Sequence, residues 1–151
     1  MSLNICSLKT NVLNLKLEIT YKFRPTVIGI CDSKNTNHIE SLYNLTGYSI
    51  TTNNFSKKSG LALYIKNYIP AMTKPAQTYI RGGIETIFAD INTPNGIIAV
   101  GLVNTPNGII TVGLVYKHSV DINVENFTTA LETIISSLDP HNKTYIMGIS
   151  T

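Results

Sequence analysis

The chain has 151 residues, 43% hydrophobic and 14% charged, with a formal net charge of +3. That length suits one domain or a part of one, the apolar share excludes a disordered chain, and 12 basic against 9 acidic residues is too even to mark a nucleic-acid binder by charge alone. No apolar run reaches the ~18–20 residues of a membrane span, Met1 to Cys6 shows neither a basic nor an apolar leader and points to an intracellular (cytoplasmic or nuclear) protein, and Cys6 and Cys31 match no metal or redox spacing and are expected as reduced thiols.

Residues 3–5 read as a short buried strand. Residues 10–23 carry two periods at once. Leu13, Leu15, Leu17, Ile19 and Tyr21 alternate like a strand, while Val12, Leu15, Ile19 and Phe23 form a helical stripe with Thr10 as N-cap. The segment is too long for an ordinary strand, so a helix is expected, ended by Arg24-Pro25. Residues 26–31 (TVIGIC) form a continuous apolar run, the mark of a strand buried on both faces. A polar loop over 33–37 and a short helix over 38–45 follow, then strands at 48–52 and 61–65 around a Lys-bearing turn at 53–60. Residues 70–75, bounded by prolines, are expected to be irregular.

Residues 84–91 read as a strand leading into Asn92-Thr93-Pro94-Asn95-Gly96, a hairpin turn with Asn-Gly at its tip. A strand over 97–103 follows. Helical spacing of Phe127, Leu131, Ile134, Ile135 and Leu138 gives a helix over 124–138, closed by Pro140, and a last strand covers 144–147. This order of elements implies an α/β layered fold with a mixed sheet.

One stretch is duplicated. Residues 92–103 (NTPNGIIAVGLV) and 104–115 (NTPNGIITVGLV) differ only at Ala99 against Thr111. The unit is a hairpin turn plus a strand, too short and too few for a solenoid. A replication slip within one gene is the favoured origin over an added binding hairpin. Making the first copy a loop costs only about 1 kcal/mol in loop closure, against several kcal/mol for leaving its five aliphatic side chains in water at ~1.5–3 kcal/mol each. Both copies are therefore expected as strands of a meander from Ile84 to Tyr116, delivering Tyr116 to the end of the sheet away from Asn4 and Asp32.

Polar residues stand at the carboxyl ends of several of these strands, the edge where open α/β sheets bind ligands. The motifs in question are N-I-C-S-L from Asn4, V-I-G-I-C-D-S ending at Ser33, Gly47-Tyr48, G-L-A-L-Y-I from Gly60, I-E-T-I-F from Ile84, V-G-L-V-Y-K-H ending at His118, and Y-I-M-G-I-S-T from Tyr145. In order and spacing they resemble the endonuclease/exonuclease/phosphatase superfamily, specifically the apurinic-endonuclease-like endonuclease domains of non-LTR retrotransposons. Those domains run N-I-R-S-L, I-I-G-L-T-E-T, Gly-Tyr, G-G-V-A-L-Y-I, I-E-S-L-F, V-G-V-I-Y-R-P and M-G-D-F-N.

The resemblance covers residues 1–151 as the N-terminal two-thirds of such a domain. It implies an incomplete four-layered α/β sandwich of DNase I-like type, with a mixed sheet and an extra duplicated hairpin strand. The family's final Asp and Ser-Asp-His lie beyond the part matched. The family cleaves DNA phosphodiesters with Mg²⁺, which a Glu holds and which polarises the phosphoryl oxygen.

By this resemblance Asn4 matches the family's first Asn and Tyr116 its phosphate-side Tyr. Asp32 stands in the metal-binding position, with a carboxylate set back by the ~1.5 Å of one C–C bond. Ile149 and Thr151 replace the water-orienting Asp and the Asn, and an apolar side chain can neither orient water nor take its proton. The expectation is a vestigial site of Asn4, Asp32 and Tyr116 in an inactive remnant. The alternatives are a non-enzymatic binding module on the same scaffold and a nuclease with an altered metal site.

Read without the resemblance, Asn4 serves equally as a turn or cap residue, Asp32 as a loop cap, and Tyr116 as packing over the sheet. Glu85 reads as a solvent-facing strand residue, and Lys57 and Lys58 as solvated turn residues or a contact to nucleic acid. His118, where the family has Pro, is given no catalytic role, and Cys6 removes an Arg that could meet phosphate. A domain cut short should also expose 26–31 and 97–103 and be marginal or self-associating through the bare sheet.

Overall fold

The computed structural model describes residues 2–4, 8–19, 22, 24–31, 44–53, 60–75, 79–81, 84–93, 99–100, 103–104, 108–117 and 124–150. Among them are two sheets of mixed strands, two helices and a small separate ladder. The first sheet contains β1 (Ser2–Asn4), β2 (Val27–Cys31), β3 (Tyr48–Thr52) and β4 (Ala62–Lys66) in the order β1-β2-β4-β3, with β1 parallel to β2 and the other pairs antiparallel. The second is built on β7 (Ile84–Thr93), flanked antiparallel by β10 (Gly108–Lys117) on one side and by β5 (Ala71–Thr73) and β6 (Tyr79–Arg81) on the other. Beyond β10, β11 (Lys143–Ser150) pairs in parallel.

Period-two alternation assigns each face. Val27 and Cys31 of β2, Leu61 before β4, and Leu63 and Ile65 of β4 meet Ile87, Ala89 and Ile91 of β7 and Ile110, Val112, Leu114 and Tyr116 of β10 in one apolar layer between the sheets. The intervening residues of the first sheet, Ile28, Ile30, Ala62 and Tyr64, turn the other way. They bury Leu15 and Ile19 of α1 (Leu8–Glu18) and its continuation. Phe88 and Val115 likewise turn outward, beneath Phe127, Leu131, Ile134 and Leu138 on and just after α2 (Val124–Ser136). Each helix thus covers the outer face of one sheet.

The continuous apolar run of β2 is explained by this double cover, and every residue of Val27–Cys31 is buried. The expected exposed surface at 26–31 is therefore absent along β2: α1 closes one face and the second sheet the other. The helical stripe also prevails over the strand-like alternation in α1. Leu15 and Ile19 are buried while Leu13 and Leu17 face solvent. Past Glu18 the helical path continues as a π turn through Ile19 and Lys22, so it reaches Arg24-Pro25, where the spacing ends it. Arg24 takes a left-handed φ of 39° and donates its backbone N–H to Ile19 O at 3.1 Å, which turns the chain into Pro25. At the far end, Asp139 accepts from the backbone of His141 (2.9 Å) and Asn142 (3.2 Å), so the turn through Pro140 is held by its own Asx contact.

Three expectations change. The stretch 70–75 is not irregular, because Ala71–Thr73 forms an edge strand on β7. Prolines on either side suit an edge, where one row of N–H groups needs no partner. The helix proposed over 38–45 lies outside the described residues except at its end, where Leu45 is buried against α1 and β2. Finally, there is no meander through both copies. The second copy pairs directly with β7, Thr111 opposite Asp90 and Tyr116 opposite Glu85. In the first copy β8 (Ala99–Val100) pairs with β9 (Val103–Asn104), which straddles the junction of the copies, outside both main sheets.

Two glycines allow close layers. A Cβ on Gly29 would stand 2.9 Å from Leu114 Cδ1, and a Cβ on Gly113 2.1 Å from Phe88 Cε1. The Phe88 ring lies across the bare backbone of Gly113, its ladder partner, and carries the contact to α2. Gly113→Ala is expected to lower stability by about 1–3 kcal/mol through overpacking. Chemical denaturation of the variant beside the unaltered protein tests this.

Tyr48 supplies a pH dependence. Its hydroxyl donates to Pro25 O, tying β3 to the start of β2. Burial, and secondarily the neighbouring Tyr68, raises its pKa above the ordinary 10.0. The unfolded chain then loses this proton first, so the contribution is complete below pH 10.0 and declines as pH rises through the folded value. Stability should fall above about pH 10, with a shallower slope in Tyr48→Phe, as equilibrium unfolding across alkaline pH would record.

Candidate functional site

Strand direction brings several chain ends to one end of the sandwich. In the first sheet Asn4 pairs with Cys31, and Ala62 stands against both Ile30 and Thr52, so β1, β2 and β3 finish where β4 begins. In the second sheet Ile149, Tyr116, Glu85 and Ile80 occupy one row, where β10 and β11 finish and β7 begins. The two rows meet: Asn53, just after β3, donates from Nδ2 to Glu85 Oε2 across the gap between the sheets at 3.3 Å. Cys31, the ladder partner of Asn4, shares the inter-sheet apolar layer with Tyr116.

Tyr116 therefore lies at the same end as Asn4, and its expected displacement does not occur. The second copy keeps the antiparallel place beside β7, so the strand after it runs toward this end. Only 7% of Tyr116 is exposed. Asp32, next in sequence after Cys31, lies outside the described residues, as do Cys6, Lys57, Lys58, His118 and Thr151. Ile149 falls opposite Tyr116 in the parallel ladder, two residues beyond Met147, which packs against the inter-sheet layer.

The largest departure from expectation is Glu85, which is fully buried rather than solvent-facing. Its position on β7 has the same parity as Ile87, Ala89 and Ile91, so it turns inward at the end of the apolar layer. Asn53 is 2% exposed and serves both sheets. Its Oδ1 accepts the Leu61 backbone N–H at 2.7 Å, closing the turn between β3 and β4, while its amide nitrogen reaches Glu85. The alternation I-E-T-I-F already contains the inward parity of Glu85. What the sequence lacked was the polar partner, supplied from a turn 32 residues away.

A second, partly buried polar cluster lies on the outward parity of β7. Lys74 Nζ and Thr111 Oγ1 both donate to the Asp90 carboxylate, at 2.8 and 2.7 Å. The Lys74–Asp90 pair is largely screened from solvent. Thr111 is the one repeat residue that differs from the first copy, where Ala99 has no hydroxyl.

For a metal, one described carboxylate at the shared end is Glu85, and it is hydrogen-bonded to Asn53. No group of three His, Cys, Asp or Glu able to hold an ion occurs among the described residues. No described helix is long and apolar enough to cross a membrane. Protein-family models give no match to this chain, and no curated protein is significantly similar to it.

The Asn53 bridge should be a stabilising contact. Asn53→Ala deprives the Leu61 N–H of its acceptor and Glu85 of one donor, inside the protein. A loss of about 1–3 kcal/mol is expected, and Asn53→Asp should cost more by facing one carboxylate with another. Equilibrium unfolding of both variants at neutral pH tests this.

Proposed function

We propose that the chain is a retrotransposon-type endonuclease domain of the endonuclease/exonuclease/phosphatase superfamily, and that it has lost its hydrolytic chemistry. The observation that carries this reading is the row Ile149–Tyr116–Glu85, brought by Asn53 to the same end as Asn4. Two sheets packed face to face, each with a helix on its outer side, suit the four-layered DNase I-like sandwich that the motif order implies. DNA is the family's partner, with weak or no binding expected of this chain, in an intracellular setting.

Within it, Asn4 and Tyr116 stand where phosphate would lie and Asp32 would hold Mg²⁺. The ion would supply charge to the phosphoryl oxygen and leaving group. Hydrolysis also needs a group that orients and deprotonates water. At the position beside Tyr116 the chain carries Ile149, which has no acceptor, so the water is left undirected. Loss of such a group lowers rates by orders of magnitude.

Purified protein is expected to leave supercoiled and abasic plasmid intact with either Mg²⁺ or Mn²⁺. Metal-dependent nicking that disappears in Asp32→Ala would establish an active nuclease instead.

A further inference from the structure

The two copies of the repeat present the same apolar residues at the same parity. Residues 96–105 laid beside β7 in place of 108–117 would put Ile98, Val100 and Leu102 where Ile110, Val112 and Leu114 now lie, and Gly101 beneath Phe88 in place of Gly113. The unit has an even number of residues, so faces are preserved, and direction is preserved because one copy replaces the other. Apolar burial within the repeat is therefore equal in the two arrangements.

We infer that residues 96–105 and 108–117 are alternative occupants of one place in the sheet, and that the Lys74–Asp90–Thr111 cluster, together with Tyr116, selects the second. The inference rests on the fold and not on the nuclease reading. Loop lengths do not make the choice. With the second copy in place the connections are 94–107 and 118–123, and with the first they become 94–95 and 106–123. Closure entropy then differs by only about fourfold, in favour of the first copy.

The side chains choose the other way. Thr111 gives Asp90 a hydrogen bond to a charged group, at 2.7 Å, that Ala99 cannot supply. Such a bond weights the equilibrium by about ten- to a hundredfold. One residue past the repeat, Tyr116 fills the inter-sheet layer opposite Glu85, where the first copy would bring Asn104. Burying a large side chain in place of a small polar one adds roughly another tenfold or more. Exchange would also withdraw Tyr116 from the end shared with Asn4, so strand choice decides which side chain stands there.

The test exchanges the distinguishing residues between the copies in the full chain: Ala99→Thr and Asn104→Tyr with Thr111→Ala and Tyr116→Asn. Residue-resolved amide hydrogen exchange reads the occupant. Slow exchange should lie on 109–116 in the unaltered protein and move to 97–104 in the exchanged one. Protection that stays on 109–116, or an exchanged chain that does not fold, overturns the inference.

A second measurement isolates Thr111. Deleting 92–103 or deleting 104–115 leaves chains that differ at one residue, Thr or Ala in the retained strand. The unfolding equilibrium constant should favour the folded Thr chain by about ten- to a hundredfold over the Ala chain. Equal stabilities would remove Thr111 as a selector.

Discussion

The register of β10 against β7 is the constraint on which the rest depends. β7 has partners on both edges and packed layers on both faces, and its alternation gives each residue one destination. Ile87, Ala89 and Ile91 go to the layer between the sheets, and Phe88 to the layer under α2. A slip of one residue along β10 would turn Ile110, Val112 and Leu114 toward α2 and drive Thr111 and Gly113 into the apolar layer. The Asp90–Thr111 hydrogen bond and the Phe88–Gly113 contact can be made together in only one register. The two polar clusters work at opposite ends of the same strand: Lys74, Asp90 and Thr111 toward its end, Glu85 and Asn53 at its beginning.

The same constraint explains why the duplication did not become a meander. Counting aliphatic side chains favours burying both copies, but strand direction outweighs that count. β10 leads through α2 into a parallel β11, and such a crossover requires β10 and β11 to run the same way with the helix on one face. An added strand between β7 and the second copy would reverse that copy. Its pairing with β11, the burial of Tyr116 opposite Glu85, and the seating of α2 on Phe88 and Val115 would all be lost together. Admitting one copy to the sheet preserves all three.

Much of the fold was legible because periodicity reports burial. The unbroken apolar run of β2 required cover on both faces, and both covers exist. The competing periods in α1 were resolved by length, and Leu13 and Leu17, which belonged to the losing pattern, face solvent. Edge elements were not legible. Ala71–Thr73 and Tyr79–Arg81 are three residues each, too short for any period, and exist because β7 has an unfilled edge. At the candidate site, motif order singled out Asn4 and Tyr116, but the expected meander would have parted them, whereas the ladders bring their rows to one end. Glu85 was misjudged because its burial depends on Asn53, a residue remote in sequence that looked like ordinary turn polarity.

Glu85 also shows how scaffold and chemistry make opposing demands on one end of a sandwich. A carboxylate that holds an ion or activates water must keep access to solvent and a lone pair for its ligand. A carboxylate that ties two sheets together must be dry and hydrogen-bonded, since a buried charge without partners is costly. Glu85 meets the second requirement: it is fully buried, and its contact with Asn53 links the β3–β4 turn to β7. Tyr116 beside it is packed into the apolar layer, and the next residue in the row is Ile149. Glu85 and Tyr116 can be retained for the cohesion of the sheets alone. On the proposed nuclease reading, the packing of this end outlasts its chemistry, because the contacts that hold the strands in register do not require anything to be hydrolysed there.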